Sequence, residues 1–349
     1  METVFYLVRH GEPLFENGQK ICLGNRSDPA LSAWGRAQAE QLAASLDGRL
    51  PVFCSPLLRS RETALCLSDA PQTLEGLTEC DMGPWDGMDF ESIRREYPLL
   101  YARRETDPAL LPEGAEPVQA ACVRMRQTLD GIAQSAIVVG HAGAMRAMLC
   151  PVMGKRWAEM RSIPMSYGSV TKLVRGADGA YRVEYSGRKP QEYPGEDEIA
   201  RLYRKYRTPE AVQAHCGATA LLARRLGEAA GGVDCGLLYA AARLHDLCRT
   251  QARHAEKSAD ALLMQGYPEL ARIVRLHHSP AAADGALDEC ALLFYADKRV
   301  QGAQFVSLRE RFEASLAKCG APQALEAHRA QWEAAQKIER RIRQTGCWL

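Results

Sequence analysis

Hydrophobic and polar residues change their spacing repeatedly along the first half of the chain. Short runs of strand-forming residues alternate with stretches that place apolar residues at helical spacing. The predicted strands cover residues 4–8, 51–55, 136–141 and, as a hairpin, 169–174 and 181–186; the predicted helices cover residues 33–46, 59–67, 118–132 and 143–150. Because strands and helices alternate, this half is predicted to form a mainly parallel sheet covered by helices.

The pattern changes in the second half. Residues 187–207 are largely polar and contain several Pro and Gly residues, which predicts a linker. Beyond Pro209 the strand signals stop, and Ala- and Leu-rich segments broken by Gly, Pro or Asp predict five to seven helices. The chain is therefore predicted to carry an α/β domain over residues 1–186 and an all-α domain over residues 208–349.

Charge and cysteine spacing narrow the classes of function. The formal net charge of +1 gives no general attraction for nucleic acid or an anionic membrane, although a local basic pocket could still bind a small anion. No run approaches the roughly 18 apolar residues of a membrane span. The twelve cysteines, from Cys22 to Cys347, form no CxxC pair and favour a reducing compartment. We therefore expect a cytoplasmic protein without nucleic-acid or membrane partners.

Arginine and histidine side chains follow three of the predicted strands. Arg9 and His10 follow the first strand. Arg59 follows the second strand, and His141 ends the third. Because the carboxyl ends of parallel strands gather at one edge of a sheet, we expect these side chains to converge. Two guanidinium groups and two imidazoles suit a dianionic phosphate, since guanidinium forks match phosphate geometry.

A neutral imidazole in such a site is also a candidate nucleophile. Its attack on phosphorus would give a phosphohistidine and divide one displacement into two easier steps, while nearby cations stabilise the transferring group. The leaving alcohol then needs a general acid. Glu79, in the loop segment LTECDMGPWDG, is the leading candidate, and Asp81 and Glu12 are its rivals.

Five motifs carry these residues in order: LVRHGEP, DPALSAWGRAQAEQL, CSPLLRSRETA, LTECDMGPWDG and VVGHAGAMRAM. Together they resemble the histidine phosphatase superfamily, in its phosphoglycerate-mutase-like branch, over about residues 1–185. The resemblance implies a three-layer α/β sandwich and chemistry that needs no cofactor. It also implies that His10 is the phosphorylated nucleophile and that Arg9, Arg59 and His141 form its phosphate pocket. Glu79 would be the proton donor, and Arg26 would lie on the substrate side.

Two segments bear on the branch of the superfamily. CDMGPWDGM is similar to the phosphatase version of its motif, and ICLGNRSDPALS resembles the α-ribazole phosphatase type. The chain departs from that type, because Ser27-Asp28 replaces the usual Thr-Asp and an additional Ala30 precedes Leu31. The identity of the substrate therefore stays open.

The helical half holds six of the eight histidines, and several of them adjoin carboxylates. His245 and Asp246 end an apolar helical segment. Asp297 lies in the apolar segment LLFYADKRV, where a carboxylate without a partner would be costly. Because imidazole and carboxylate groups are ligands of hydrolytic metal ions, the set predicts a metal site in this domain.

The ordered set resembles the His…His-Asp…Asp signature of HD-domain phosphohydrolases over about residues 205–300. HAEKSADAL and IVRLHHSP are further similar to the bacterial diadenosine tetraphosphate hydrolase branch. This resemblance implies a divalent metal such as Fe, Mn or Mg, as a pair of ions. The implied ligands are His215, His245, Asp246, His254, His277 and Asp297, with His278 as the rival of His277.

The two halves together predict a bifunctional phosphohydrolase. The first domain would hydrolyse a phosphomonoester through His10, and the second would hydrolyse a phosphoester or phosphoanhydride of a nucleotide-like substrate. The expected partner is a small phosphorylated metabolite or a nucleotide. The alternatives are a phosphoglycerate-type mutase and a phosphatase whose HD domain senses a nucleotide without turning it over. The oligomeric state is left open.

Overall fold

The computed structural model describes residues 2–15, 19–316 and 319–345. The chain divides into two compact units: the first runs to Pro190 and includes Met264–Gly266, and the second comprises the rest of the chain from Gln191. In the described part of the first unit, six strands form one sheet with the order β3-β2-β4-β1-β5-β6. The strands are β1 Thr3–Arg9, β2 Val52–Cys54, β3 Gln72–Thr73, β4 Ala136–Gly140, β5 Val170–Arg175 and β6 Tyr181–Arg188.

Strand pairing brings three carboxyl ends to one edge of this sheet. β4 lies between β1 and β2 and runs parallel to both, and β3 is parallel to β2. β5 is antiparallel to β1, and β6 is antiparallel to β5, as the predicted hairpin requires. The register pairs Arg9 with Gly140 and Cys54 with Val139. The predicted mainly parallel sheet is therefore confirmed.

Helices cover both faces of the sheet. In this unit they are α1 Ala33–Ser45, α2 Leu58–Leu67, α3 Phe90–Glu96, α4 Pro98–Thr106, α5 Val118–Asp130 and α6 Ala142–Val152. Successive strand residues point to opposite faces, so Leu7 and Val8 belong to different apolar cores. Leu42 of α1 and Ala64 of α2 join the core of Val8, whereas Met125 of α5 joins the core of Leu7. The predicted three-layer sandwich is confirmed.

Side-chain caps set the starts of two of these helices. The Ser32 hydroxyl accepts the N–H of Gly35 at 3.0 Å and begins α1. The Asp89 carboxylate accepts the N–H groups of Glu91 and Ser92 and begins α3. Helices α3 and α4 were not predicted. α3 has only seven residues, and α4 has no buried residue, so neither has the apolar periodicity that marks a longer helix.

The second unit is built from helices around one apolar core. Its helices are α7 Glu196–Tyr206, α8 Glu210–Ala230, α9 Cys235–Leu244, α10 His254–Gln265, α11 Pro268–Leu276, α12 Glu289–Lys298, α13 Leu308–Leu316 and α14 Pro322–Gln344. Seven α-helices thus follow Pro209 in the described part of the chain, within the predicted range. The strands β7 Val300–Gln301 and β8 Gln304–Phe305 form a hairpin that was not predicted, because each is only two residues long.

The prediction of a linker over residues 187–207 is wrong for most of its length. Its first two residues belong to β6, and α7 occupies its second half. Ile199, Leu202 and Tyr203 of α7 are buried in the core of the second unit. These three positions have helical spacing, and three acidic residues stand in the first turn, where they favour a helix N-terminus.

The structure bears on two expectations from composition, the lack of a membrane span and the free cysteines, only for the described residues. No helix of the described residues is long and apolar enough to cross a bilayer. The eleven cysteines among the described residues are free thiols, and Cys347 lies outside the described residues, as do the ends of the predicted domains at residues 1 and 346–349. The cytoplasmic location stays a prediction.

If α7 is part of the second core, Leu202→Ala should destabilise that unit. Leu202 is 3% exposed, and truncating a buried leucine typically costs about 2–4 kcal/mol of unfolding free energy. Native-state hydrogen exchange of the α9 amides in the full chain measures this loss. Arg204→Ala, an exposed position on the same helix, is the matched control. Equal protection in the two variants would show that α7 is a linker helix after all.

Candidate functional site

The sheet edge formed by the carboxyl ends of β1, β2 and β4 assembles the predicted residues of the first unit. His10 follows β1, and its backbone N–H donates to the Gly140 carbonyl at 3.1 Å. His141 follows β4 and precedes α6, and Arg59 lies in the first turn of α2, after β2. The rings of His10 and His141 are 5.0 Å apart between centroids. The predicted convergence of residues distant in the chain is therefore seen.

His10 is buried, and the backbone carbonyl of the next residue orients its ring. Its Nδ1 lies 2.7 Å from the Gly11 carbonyl, so Nδ1 carries the hydrogen and donates it. The lone pair of the neutral ring is then on Nε2. Burial lowers the pKa of His10 well below its usual value, and the charges of Arg59 and Arg9 lower it further. The ring is therefore neutral near pH 7.

His141 is fully buried and contacts a serine that the sequence reasoning missed. Its Nε2 lies 2.8 Å from the Ser55 hydroxyl, which also accepts the N–H of Leu57. Its Nδ1 is buried and has no hydrogen-bond partner. Burial lowers the pKa of His141 well below its usual value, followed by the effect of His10. A second neutral imidazole thus adjoins His10.

The two arginines each keep one buried N–H group without a partner. Arg59 is 1% exposed and donates to the Ser27 and Gly24 carbonyls at 2.8 and 2.9 Å. Arg9 donates to the Met165 carbonyl, and its guanidinium carbon lies 3.8 Å from the centroid of the Tyr167 ring. The Nε atoms of both arginines have no hydrogen-bond partner. An unpaired buried donor is costly, so such groups mark a binding site.

Glu79 is held at the start of α6. Its carboxylate accepts the N–H groups of Gly143 at 3.0 Å and Ala144 at 2.8 Å, and also that of Cys80. A Cβ on Gly143 would lie 2.5 Å from the Glu79 Oε1, so this close approach needs glycine. The helix N-terminus and its N–H groups therefore fix the position of the carboxylate.

Arg26 and the rival acid Asp81 pair with each other. The Arg26 guanidinium donates to the Asp81 carboxylate at 2.8 Å, and its side chain is exposed. The other Asp81 oxygen accepts the N–H of Gly83. Arg26 is thus placed at the surface of the loop segment and not in the buried cluster, and its contact with substrate stays a prediction. Glu12 donates its backbone N–H to Gln38.

A cavity of about 310 Å³ opens beside this cluster within the first unit. Arg9, Glu79, Gly143 and Tyr167 line it together with apolar side chains. Cavities of this size bind small metabolites. The cavity therefore has room for the organic part of a phosphomonoester next to His10.

In the second unit the predicted ligands gather in two groups. His215, His245 and Asp297 form one group. Asp246, His254, His277 and His278 form the other, and within each group the possible ligand atoms lie within 4.8 Å of one another. Both His277 and His278 are therefore near the predicted site, and position alone does not select one of them.

Backbone carbonyls orient three of these imidazoles. Nδ1 of His215, His245 and His277 donates to the carbonyls of Gly302, Ala242 and Val274, respectively, at 2.9, 2.8 and 2.6 Å. Each Nε2 therefore carries a lone pair. In His245 and His277 this buried atom has no hydrogen-bond partner. A ligand nitrogen whose ring partner donates to a carbonyl is the usual arrangement at metal sites, so these residues fit a cation.

The two carboxylates are ionised. Burial raises the pKa of Asp297, but the ammonium of Lys298 holds it well below its usual value. Lys298 is itself buried, and its Nζ donates to Asp297 at 2.7 Å. Asp246 lies 3.6 Å from the Arg249 guanidinium. The donors are thus in the form that binds a divalent cation.

Several contacts in these sites were not predicted. Ser55, Tyr167, Arg249 and Lys298 all stand within three residues of a predicted site residue or close to one in space. Ser55 and Lys298 lie in the quoted segments CSPLLRSRETA and LLFYADKRV, so a search for polar residues beside each motif could have found them. Tyr167 gives no such signal.

Comparisons with known proteins cover both units. A family model described as histidine phosphatase superfamily (branch 1) matches residues 5–186, and an HD domain model matches residues 212–313. The chain is 32% identical over 140 residues to phosphoserine phosphatase 1 of Hydrogenobacter thermophilus, covering 36% of this chain and 66% of that protein. It is 30% identical over 182 residues to 6-phosphofructo-2-kinase/fructose-2,6-bisphosphatase 4 of Rattus norvegicus, covering 50% and 38%.

Among solved structures, the α-ribazole phosphatase from Shigella flexneri is 21% identical with a TM-score of 0.47, covering 54% of this chain and 97% of that one. The chain spans less than two thirds of the length of the curated relatives named above. Both family resemblances noted in the sequence are confirmed. Since the first match extends over more than half of its residues, the chain belongs to the histidine phosphatase superfamily and carries an HD domain in its second half.

Proposed function

We propose that the first unit hydrolyses a phosphomonoester through a phosphohistidine on His10. The observation that carries this proposal is the set of unpartnered donors around that ring. Nε of Arg9, Nε of Arg59 and Nδ1 of His141 are buried nitrogens without a partner, and all three residues adjoin His10. The two guanidinium N–H groups are donors, and Nδ1 of His141 is a third in the tautomer in which Nε2 accepts the Ser55 hydroxyl hydrogen. Donors arranged in this way beside a neutral nucleophile suit the oxygens of a transferring phosphoryl group.

In the first step Nε2 of His10 attacks phosphorus, the N–P bond forms and the bond to the leaving oxygen breaks. Glu79 gives that oxygen a proton, which completes the alcohol. In the second step Glu79 takes a proton from water, the water oxygen bonds to phosphorus, and the N–P bond returns its electron pair to His10. Asp81 is a weaker candidate for the acid because it is paired with the exposed Arg26, whereas Glu79 lines the cavity beside Arg9 and Asp81 is not among the lining residues.

We further propose that the HD domain is a metal-dependent phosphohydrolase for a nucleotide-like substrate. His215, His245 and Asp297 would hold one divalent cation, and Asp246, His254 and His277 a second. Bound cations would supply Lewis acidity and an acidified water. The carbonyls of Gly302, Ala242 and Val274 hold the imidazoles in the required tautomer, and Arg249 and Lys298 add positive charge beside the carboxylates.

Geometry favours His277 over His278 as the ligand. Nδ1 of His278 lies 3.2 Å from Nζ of Lys298, which can only donate. Nδ1 of His278 is therefore the acceptor, and its Nε2 carries the hydrogen. Nδ1 of His277 instead donates to Val274, which leaves Nε2 free to bind a cation. The Nε2 hydrogen of His278 is then donated to Nε2 of His254, 3.1 Å away.

Replacing His10 should abolish the phosphoenzyme. With a ³²P-labelled monoester and a metal chelator present, the full chain should form an acid-labile, base-stable phosphoenzyme in rapid-quench experiments. His10→Ala should form none and lose at least about 10³-fold in kcat. Glu79→Gln should lose about 10²- to 10⁴-fold with an alkyl leaving group and less with p-nitrophenol.

Asp81→Asn is the matched control for Glu79→Gln and should change kcat little. A loss equal to that of Glu79→Gln would move the acid role to Asp81. With 3-phosphoglycerate, release of inorganic phosphate supports a phosphatase, whereas conversion to 2-phosphoglycerate supports a mutase. Full activity of His10→Ala would exclude the proposed nucleophile.

The pKa of His10 gives a separate prediction. Because burial and the two guanidinium charges disfavour the imidazolium, NMR titration of the free full chain should give His10 a midpoint below 6.5. Arg9→Gln removes one positive charge and should raise that midpoint. Arg61→Gln, an exposed position on α2, should not. A midpoint at or above 6.5, or equal shifts in both variants, contradicts the neutral nucleophile.

Metal content tests the HD proposal without requiring turnover. The full chain, loaded with Mn²⁺ and desalted, should retain about two ions per chain by mass spectrometry of the elements, and the ions should raise its melting temperature. His277→Gln should lose about 10- to 100-fold in metal affinity, while His278→Gln should keep the metal and lose hydrolysis of a chromogenic phosphodiester. Bound metal in the wild type with no turnover of phosphodiesters or dinucleotides would favour the sensor alternative.

A further inference from the structure

A cavity of about 490 Å³ lies in the second unit, where α7 and α9 end and α8 begins. Its volume is in the range of sites that bind small metabolites. Among the described residues that line it are three arginines and one carboxylate, namely Arg204, Arg207, Arg243 and Glu210, and none of the predicted metal ligands. This basic cavity is therefore distinct from the proposed metal centre.

The guanidinium groups of the basic cavity have donors to spare. The side chains of Arg204 and Arg207 are exposed, and neither forms a hydrogen bond or an ion pair with another residue in the described part of the chain. Nη1 of Arg243 donates to the Glu196 carboxylate at 2.7 Å, but its Nε is buried and has no hydrogen-bond partner. A buried donor without a partner is costly, so it indicates a missing acceptor.

The backbone of Arg207 gives a separate indication. Arg207 follows the last residue of α7 and adopts the left-handed conformation, with φ 53° and ψ 43°. Glycine is the usual residue after a helix in this conformation, because a side chain makes it unfavourable. An arginine here costs stability that a glycine would not cost. The residue type is explained if the guanidinium group binds a ligand.

The start of α8 contributes to the same cavity. Pro209, Glu210 and Gln213 line it. The first N–H groups of an α-helix have no acceptor within the helix and carry partial positive charge, and α8 is 21 residues long. Phosphate groups bind readily at such a helix end. The helix therefore adds to the positive potential that the three guanidinium groups produce.

Hydrogen bonds hold the walls of the basic cavity together. The Tyr203 hydroxyl of α7 donates to the Arg243 carbonyl, and the Thr208 hydroxyl donates to the Leu247 carbonyl at 2.7 Å. The Gln213 side chain of α8 donates to the Thr208 carbonyl at 2.8 Å. These bonds connect the end of α7, the start of α8 and the end of α9. Since the frame is already ordered, a ligand would pay little conformational entropy to bind.

We propose that Arg204, Arg207 and Arg243 bind a phosphate group in this cavity, at a site additional to those proposed at His10 and in the metal centre. The chemistry of the ligand is that of a phosphate dianion, whose oxygens accept hydrogen bonds from planar guanidinium groups. Inorganic phosphate and the phosphate of a nucleotide both have this chemistry. The site does not depend on the function proposed for either unit.

Arginine labelling with phenylglyoxal, followed by peptide mass spectrometry, measures each guanidinium group separately in the full chain. His10→Ala serves as the background, so that a phosphomonoester is not consumed at the first site. Inorganic phosphate at about 1 mM or less should halve the labelling rates of Arg204 and Arg207, compared with NaCl of equal ionic strength. Arg225, exposed on α8 and not part of the cavity lining, is the matched control and should keep its rate.

AMP and adenosine distinguish the two sources of the phosphate group. Protection by AMP at a concentration at least about tenfold below that of inorganic phosphate would identify a nucleotide as the ligand. Equal or weaker protection by AMP would identify inorganic phosphate. Adenosine should not protect either arginine, and protection by adenosine as strong as that by AMP would contradict a phosphate site.

Substitution assigns the binding to the arginines. Arg207→Gly should leave the melting temperature unchanged or higher, because glycine adopts the left-handed conformation without cost. It should raise the phosphate concentration that half-protects Arg204 by about tenfold or more. Arg243→Lys keeps the positive charge but removes Nε and should act in the same direction. Arg225→Gln should change neither quantity.

Three results would overturn the site. They are a lack of phosphate protection at Arg204 and Arg207, equal protection at Arg225, and unchanged half-protection of Arg204 in Arg207→Gly. Because the labelling is measured arginine by arginine, phosphate bound at either proposed catalytic centre does not produce the expected pattern. Failure of the phosphohistidine proposal would instead appear as retained monoesterase activity in His10→Ala.

Discussion

The parallel pairing of β4 with both β1 and β2 is the constraint on which the first site depends. Two backbone hydrogen bonds continue this pairing beyond the ends of the strands. The His10 N–H donates to the Gly140 carbonyl, and the Ser55 N–H donates to the Val139 carbonyl, each at 3.1 Å. These bonds hold His10, Ser55 and His141 at one sheet edge. Because side chains alternate between faces, a slip of one residue would turn His10, the proposed nucleophile, away from the side chains around it.

Burial determines the protonation state of the histidines at this edge of the sheet. His10 and His141 are almost inaccessible to water, and desolvation together with Arg9 and Arg59 keeps the rings neutral. The same desolvation leaves buried guanidinium nitrogens without partners, which costs about 1–3 kcal/mol for each group. A phosphoryl group would accept hydrogen bonds from these donors. The unpaired donors that destabilise the free protein therefore favour binding of a phosphoryl group.

The predictable parts of the molecule are those where a short apolar run meets polar residues. Arg9, His10 and His141 could be placed because strand ends of a parallel sheet converge. The contact of His141 with Ser55 spans 86 positions and depends on side-chain direction, which no local pattern shows. Helix α7 has a local signal, since Ile199 and Leu202 are three residues apart, but the Pro and Gly residues that precede it are typical of a linker.

The two proposed sites would neutralise the negative charge of a phosphoryl group in different ways. The first unit supplies positive charge from its own guanidinium groups, whereas the second presents ionised carboxylates and imidazole lone pairs. Asp246 and Asp297 are each 4% exposed, and such carboxylates need positive charge close by. Lys298 and Arg249 supply part of it but leave Nε2 of His245 and His277 unpartnered. A divalent cation would bind the lone pairs of these imidazoles and the carboxylates at once, because one such ion takes several nitrogen and oxygen ligands.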